Sequence, residues 1–161
     1  MSELNLRKLR PSRSPLRAGD IFAMQLPSDR YLFGRVIEAD IPRERAPMPK
    51  SNLIYIYRYQ SEEPDPTSVS LVPSDLLIPP VFTNHLAWSR GYFETLGHAE
   101  ITQKDLLPHG SFWDAAGACF VDADGNRLPR EVPPAGDWGL SSYRWIDDRI
   151  SEALGIPRAS E

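Results

Sequence analysis

Cysteine and long apolar runs are the scarcest features of this sequence of 161 residues. Its single cysteine, Cys119, cannot form an internal disulfide, and its apolar neighbours are typical of a thiol that acts as a small buried hydrophobic side chain. No segment approaches the ~18 consecutive apolar residues of a membrane-spanning helix. The N-terminal segment also lacks the apolar region of a secretory signal. The sequence therefore predicts a cytoplasmic protein without a membrane partner.

The short motifs of several large enzyme classes are absent as well. There is no Walker A loop, no Gly-x-Gly-x-x-Gly, no Gly-x-Ser-x-Gly and no His-Glu-x-x-His. The three histidines, His85, His98 and His109, are 13 and 11 residues apart and fit no metal-ligand spacing. Asp147 and Asp148 are adjacent on a predicted helix, so they do not face each other as an acid and base pair. We predict no catalytic residues, no metal and no cofactor, and hence a protein that is not an enzyme.

One acidic segment has some likeness to a calcium-binding loop. In an EF-hand loop glycine is the sixth residue, whereas in the segment 122–126 Gly125 is the fourth. Aspartate, glycine and asparagine between two apolar stretches are typical of a hairpin turn. We therefore interpret this segment as a turn between two strands.

Charge is distributed unevenly along the chain. Residues 1–17 contain five basic residues and one acidic residue, whereas residues 18–161 contain 13 basic and 21 acidic residues. The two parts have net charges of +4 and −8, which give the −4 of the whole chain. We expect a basic leader over 1–17, flexible or packed down, and a single domain over 18–161. An acidic domain repels nucleic acid phosphates and attracts basic protein surfaces.

Proline divides the chain into short elements. It accounts for 16 of the 161 residues, which is about twice the usual share, and each proline cluster interrupts helices because the ring removes a backbone donor. Between the clusters apolar residues recur with period two, the signature of strands. The predicted strands are Asp20–Leu26, Tyr31–Glu38 and Asn52–Gln60, with shorter ones at Asp75–Ile78, Tyr92–Leu96 and Gly117–Asp122.

The predicted fold is mostly β, of the α+β class. Both faces of the first two strands are partly apolar, which is typical of a sheet that curls around its own core, and Gly34 would permit the bend. A C-terminal helix should begin after Ser142, its N-cap, and end at Gly155. We expect a strongly curled antiparallel sheet, approaching an SH3-like partial barrel, with the one C-terminal helix packed on it.

An aromatic row followed by an acidic loop is the strongest candidate for a binding surface. Tyrosines alternate along one face of the third predicted strand, and tyrosine is enriched at interface hot spots. Carboxylates at the edge of such a patch would steer a basic partner. The alternative is that the tyrosines pack beneath the C-terminal helix and the acids are simply solvated. The candidate contact residues are Tyr55, Tyr57, Tyr59, Glu62, Glu63 and Asp65.

Several blocks of this sequence resemble the immunity protein 26 family, bacterial proteins associated with polymorphic toxin systems. The resemblance spans 18–155 and includes the block Gly19-Asp20-Ile21-Phe22-Ala23-Met24-Gln25-Leu26, the block Tyr31-Leu32-Phe33-Gly34-Arg35-Val36, the segment 88–101 with Leu96-Gly97-His98, the segment 122–126 and the terminal tryptophan and helix. Leu32 stands where the family more often has glycine, and the proline-rich segments 41–50 and 61–68 look like insertions.

The resemblance implies a protein that neutralises a cognate toxin by occluding its active or substrate surface. It transfers no catalytic residues to this chain, and the acidic domain suits a basic toxin as partner. Two alternatives belong to other classes. One is an SH3-like adaptor or nucleic-acid-binding domain. The other is a ribonuclease similar to the MazF/PemK toxins, in which an arginine stands at the position of Ala18 and an Arg-Pro-Val-Val strand, missing here, follows.

Overall fold

The computed structural model describes residues 4–68 and 70–160, so parts of the predicted leader and domain, residues 1–3, 69 and 161, lie outside the described residues. Within these ranges the chain forms ten strands, two α-helices and three 3-10 turns. The strands are β1 Asp20–Gln25, β2 Tyr31–Ile41, β3 Ser51–Ser61, β4 Val81–Thr83, β5 Glu94–His98, β6 Ser111–Asp114, β7 Cys119–Val121, β8 Arg127–Leu128, β9 Ala135–Asp137 and β10 Leu140–Ser141. The α-helices are α1 Leu86–Ser89 and α2 Tyr143–Leu154, and the 3-10 turns are Arg43–Arg45, Pro66–Ser68 and Gln103–Asp105.

The strands form two mixed sheets, which confirms the mostly β prediction. A six-stranded sheet has the order β10-β4-β3-β2-β1-β5, and a four-stranded sheet has the order β8-β7-β6-β9. Each contains one parallel pair, β10 with β4 and β9 with β6. The prediction of one strongly curled, antiparallel and barrel-like sheet is wrong, because the larger sheet stays open and ends at β10 and β5.

The larger sheet is apolar on both faces because other elements cover each face. On one face Phe22, Val36 and Ile54 pack with Ile146 and Ile150 of α2, and these residues form the first core. On the other face side chains of β2, β3 and β4 pack against Phe112, Val121 and Trp138 of the smaller sheet, and these form the second core. The two apolar faces that suggested a curled sheet therefore reflect burial between two layers.

Gly34 lets the ring of Phe22 lie directly on the backbone of β2. A Cβ atom at position 34 would stand 2.3 Å from Cζ of Phe22, so no other residue fits without moving the ring. The same ring stacks on Phe93 at 4.8 Å between centroids and meets Trp88 edge-on at 5.0 Å. The pairing of β2 with β3 shifts register between Leu32 and Gly34, as expected for a bulge.

Helix α2 begins and ends as predicted. The Ser142 hydroxyl accepts the Trp145 backbone N–H at 3.1 Å, and Gly155 adopts a left-handed φ of 71° at the C-cap. The buried Asp147 carboxylate accepts the backbone N–H groups of Leu6 at 2.8 Å and Asn5 at 3.1 Å. Helix α2 thus holds the described part of the basic leader against the domain.

One of the shorter predicted strands does not form, whereas the turn predicted over 122–126 does. Asp75–Ile78 forms a turn with a single bridge from Leu76 to Tyr57, because the prolines that flank it donate no hydrogen bonds to a ladder. The segment 122–126 forms the predicted turn between β7 and β8, with Gly125 at a φ of 87°.

We expect Gly34→Ala to lower the free energy of unfolding by about 2–3 kcal/mol, because the added methyl group displaces a ring that is locked in the first core. Gly139→Ala is the control, since a Cβ atom at position 139 meets nothing within 4 Å. The control should change stability by less than about 0.5 kcal/mol. Urea unfolding followed by tryptophan fluorescence measures both variants, and equal effects would contradict this account of Gly34.

Candidate functional site

The tyrosine row lies on the face of the larger sheet opposite to α2. Tyr55 and Tyr57 are 5% and 1% exposed and belong to the second core, whereas Tyr59 is 42% exposed and lies against Phe33. The alternative position beneath the C-terminal helix is therefore wrong. In this structure Tyr59 presents its ring to solvent, and Tyr55 and Tyr57 lie beneath the surface.

Tyr55 and Tyr57 differ in how their hydroxyl groups are satisfied. The Tyr55 hydroxyl accepts the backbone N–H of Leu107 at 3.2 Å, which holds the connection of residues 99–110 across the sheet. The Tyr57 hydroxyl is buried and has no hydrogen-bond partner among the described residues. Burial raises the pKa of both phenols, so both rings are uncharged at neutral pH.

The acidic loop, residues 62–65, is exposed and is held in shape by short-range hydrogen bonds. The Asp65 carboxylate accepts the hydroxyl of Thr67 at 2.7 Å and its backbone N–H at 2.9 Å. These two bonds lower the pKa of Asp65, so its side chain stays ionised. Glu62 lies 3.7 Å from Arg30, and Glu63 is exposed beside it. Three carboxylates therefore project from one short turn.

A cleft separates the acidic loop and the residues just after it from β5. It has a volume of about 760 Å³ and lies over β1 and β2, with residues 64–67 and Leu71, which follow β3, on one side. Pro66 reaches Gly97 at the far side. The floor of the cleft is formed by Ile21 and Arg35, which are direct partners in the β1–β2 register. Leu71 and Leu96 add apolar walls.

Arg35 is held beneath the cleft by an ion pair. Its Nη1 atom lies 2.9 Å from a carboxylate oxygen of Asp105, and its Nη2 atom donates to the backbone carbonyl of Ala99. Partial burial raises the pKa of Asp105, but the Thr102 amide and the Arg35 charge outweigh burial and leave that pKa below its ordinary value. Asp105 is therefore ionised at neutral pH and compensates the buried charge of Arg35.

An aspartate and histidine pair forms another side of the cleft. Nδ1 of His98 lies 2.9 Å from the Asp20 carboxylate, which is 5% exposed and also accepts the backbone N–H of Arg17 at 2.9 Å. Because an ionised carboxylate only accepts hydrogen bonds, we assign the ring proton to Nδ1 of His98. Its Nε2 makes no hydrogen bond with a described residue. His98 lines the cleft.

The sequence analysis named Asp65, on the acidic side of this cleft, as a contact residue, but it did not name the other side chains of the cleft as such. It placed Asp65 in a binding loop, but it considered His98 only as a metal ligand and gave Asp20 and Arg35 no role. The missed signal lies in the blocks that carried the family resemblance, because Asp20, Arg35 and His98 come from three of them and meet around one cleft. Residues up to 78 positions apart are involved, so spacing along the chain does not reveal the site.

Metal and membrane sites have no support in the described residues. Among residues 4–68 and 70–160, no three histidine, cysteine, aspartate or glutamate side chains are grouped as they would be around a metal ion. In that part of the chain no helix has both the length and the apolar character needed to cross a membrane.

The structure is a two-sheet β fold with a cleft lined by both polar and apolar side chains. The family model described as Immunity protein 26 matches residues 17–121, about two thirds of the chain. The chain belongs to the immunity protein 26 family, as the resemblance predicted. The matched region contains β1 to β7 and the cleft, and it ends before α2. No curated protein and no solved structure matches the chain.

Tyr55→Phe and Tyr57→Phe should have opposite effects on stability. Tyr55→Phe removes the acceptor of the Leu107 N–H and should cost about 1 kcal/mol. Tyr57→Phe removes a buried hydroxyl without a described partner, so stability should stay equal or rise by up to about 1 kcal/mol. Each variant controls for the other, since both lie on one face of β3. Denaturant unfolding measures the difference, and a larger loss for Tyr57→Phe would contradict the assignment.

Asp105→Asn should destabilise the protein by about 3 kcal/mol at pH 7, because it leaves the buried charge of Arg35 without a counter-ion. The pKa of Asp105 is lower in the folded state than in the unfolded state, so its contribution is complete above the unfolded pKa. That contribution disappears as the pH falls through the folded pKa. The difference in the free energy of unfolding between parent and variant should therefore stay constant from pH 7 to about pH 5, and it should shrink as the pH falls below about 4, the ordinary carboxyl pKa. Parallel curves would exclude this ion pair as a source of stability, and Glu44→Gln, at an exposed site, is the control.

Proposed function

We propose that this protein binds and neutralises a cognate bacterial toxin in the cytoplasm. The observation that carries the proposal is the match of residues 17–121 to an immunity family, since an immunity protein implies a toxin as its partner. Neutralisation by occlusion needs a stable complex and no chemical step. The protein would cover the active or substrate surface of the toxin and would not act as an enzyme.

The proposed contact surface contains the six residues named from the sequence, in two roles. Tyr59, Glu62, Glu63 and Asp65 are exposed at the end of β3 and would touch the toxin directly. Tyr55 and Tyr57 lie beneath them on the same strand and would act from inside, by fixing the position of that strand end. An exposed tyrosine ring is a frequent interface hot spot, and carboxylates next to it suit the polar rim of an interface.

Charge supports a basic toxin as the partner. Residues 18–161 have a net charge of −8, and three of their carboxylates lie within the four residues of the acidic loop. Opposite charge on the partner speeds the encounter and fixes orientation, while the contact itself depends on the groups that become buried. A basic toxin domain, such as one that handles an anionic substrate, would fit this surface.

Reversing the three charges of the acidic loop tests the surface. The triple variant Glu62→Lys, Glu63→Lys and Asp65→Lys should reduce the association rate with the cognate toxin domain about tenfold at low salt. The effect should shrink as salt is added, because screening removes long-range attraction. Stopped-flow mixing between low and high salt measures both quantities. Glu44→Lys, Glu131→Lys and Asp137→Lys make the same change of charge at exposed acidic positions outside the acidic loop.

Co-expression tests the function itself. Cells that make the toxin domain should grow when the parent protein is present and arrest when it is absent. Arrest despite abundant folded protein would overturn the proposed function. An unchanged association rate in the triple variant would instead remove the acidic loop from the contact surface.

A further inference from the structure

We propose that the cleft between β5 and residues 64–67, with Leu71, binds a basic side chain, lysine or arginine, that the partner protein inserts into it. This inference rests on the proposed function, since the toxin is the partner that would supply the side chain. It goes further by naming a site and the chemical group that the site accepts. The argument depends on three properties of the cleft: its free acceptors, its charge and its apolar walls.

Two unused hydrogen-bond acceptors belong to side chains that line the cleft. Asp65 uses one carboxylate oxygen, Oδ1, for both bonds to Thr67, and no described residue donates to its Oδ2. His98 uses Nδ1 for Asp20, so its Nε2 has no described partner and can accept a hydrogen bond when the ring is neutral. An ammonium or guanidinium group carries only donors and so complements this pair, whereas a carboxylate or phosphate group does not.

The charge around the cleft also favours a cation. Arg35, Asp65 and His98 line the cleft, Asp105 pairs with Arg35, and Asp20 pairs with both His98 and Arg17. When His98 is neutral, these two arginines and three aspartates have a summed charge of −1. Nη1 and Nη2 of Arg35 bind Asp105 and the Ala99 carbonyl, and Nε has no access to solvent. An anion in the cleft would therefore compete with aspartates that already hold both arginines.

The walls suit the long apolar stem of a basic side chain. Ile21, Leu71, Leu96 and Pro66 surround the polar groups, and the floor lies next to the buried part of the sheet. Lysine and arginine bury their methylene groups against such surfaces while the charged end keeps polar partners. A cleft of about 760 Å³ accepts this stem together with neighbouring atoms of the partner chain.

Small-molecule probes test the cleft without the toxin. Nα-acetyl-arginine amide and Nα-acetyl-lysine amide are titrated into the ¹⁵N-labelled full chain and followed by NMR. We expect saturable shifts at Gly97, His98 and Thr67 with millimolar affinity for both cations. Nα-acetyl-citrulline amide has the shape of arginine without its charge and should give shifts several times weaker, as should Nα-acetyl-glutamate amide. The ¹⁵N signals of the His98 ring should show a protonated Nδ1, and the Nε2 signal should move on addition of arginine.

Asp65→Asn isolates the charge in the cleft. Asparagine keeps an oxygen for the bonds to Thr67 and removes the negative charge, so the loop should retain its shape and arginine binding should weaken about fivefold. Glu44→Gln makes the same change of charge in the loop of residues 42–50, before β3, and should leave binding unchanged. Equal binding of citrulline and arginine, a preference for glutamate, or unchanged binding in Asp65→Asn would each overturn the proposal.

The toxin complex separates this proposal from the proposed function. If the toxin binds but Asp65→Asn changes neither its affinity nor the arginine titration, the protein is an inhibitor that does not use the cleft for a basic side chain. If the arginine probe binds as expected and the toxin does not bind, the cleft stands and the proposed function fails.

Discussion

The larger sheet carries apolar side chains on both faces, and the rest of the fold is arranged to keep water from both of them. Burial of apolar area is the main favourable term in folding, so neither face can be left open. Helix α2 covers the first core, and the smaller sheet covers the end of the other face near Phe82. Residues 99–110 and residues 64–67, with Leu71, cover part of what remains of the second face.

The candidate site is the place where this second cover is incomplete. Pro66 meets β5 at Gly97, and the gap between residues 64–67 and β5 is the cleft. Charged groups at its edge are paired: Arg35 with Asp105, and Asp20 with His98. Nε of Arg35 is buried without a described partner, whereas Oδ2 of Asp65 and Nε2 of His98, which also have none, belong to side chains that line the cleft and are available to a ligand. The cleft left by the incomplete cover of the second face is thus also the proposed recognition surface.

The N-terminal segment is also held by a buried charged group. Asp147 is buried in α2, and burial raises its pKa even though two backbone N–H groups stabilise the carboxylate. Those bonds attach residues 5 and 6 to the helix, and Leu6 completes the first core. The Asp147 carboxylate therefore holds residues 5 and 6 of the N-terminal segment against helix α2.

Local signals in the sequence determined the elements that depend on a few neighbouring residues. The hairpin of β1 and β2, the caps of α2 at Ser142 and Gly155, and the turn at 122–126 were all predictable, because periodicity, capping and turn chemistry act over one to five residues. The blocks that resemble immunity protein 26 also identified the family.

Only the tertiary structure decided how those elements cover one another. Alternating tyrosines predict a strand face, but whether that face meets solvent depends on residues 99–110 and on the smaller sheet, which lie far along the chain. The same holds for the parallel pairs and for the contact of Asp20 with His98, 78 positions apart. Contacts of this range depend on the path of the whole backbone, and no short stretch of sequence encodes that path.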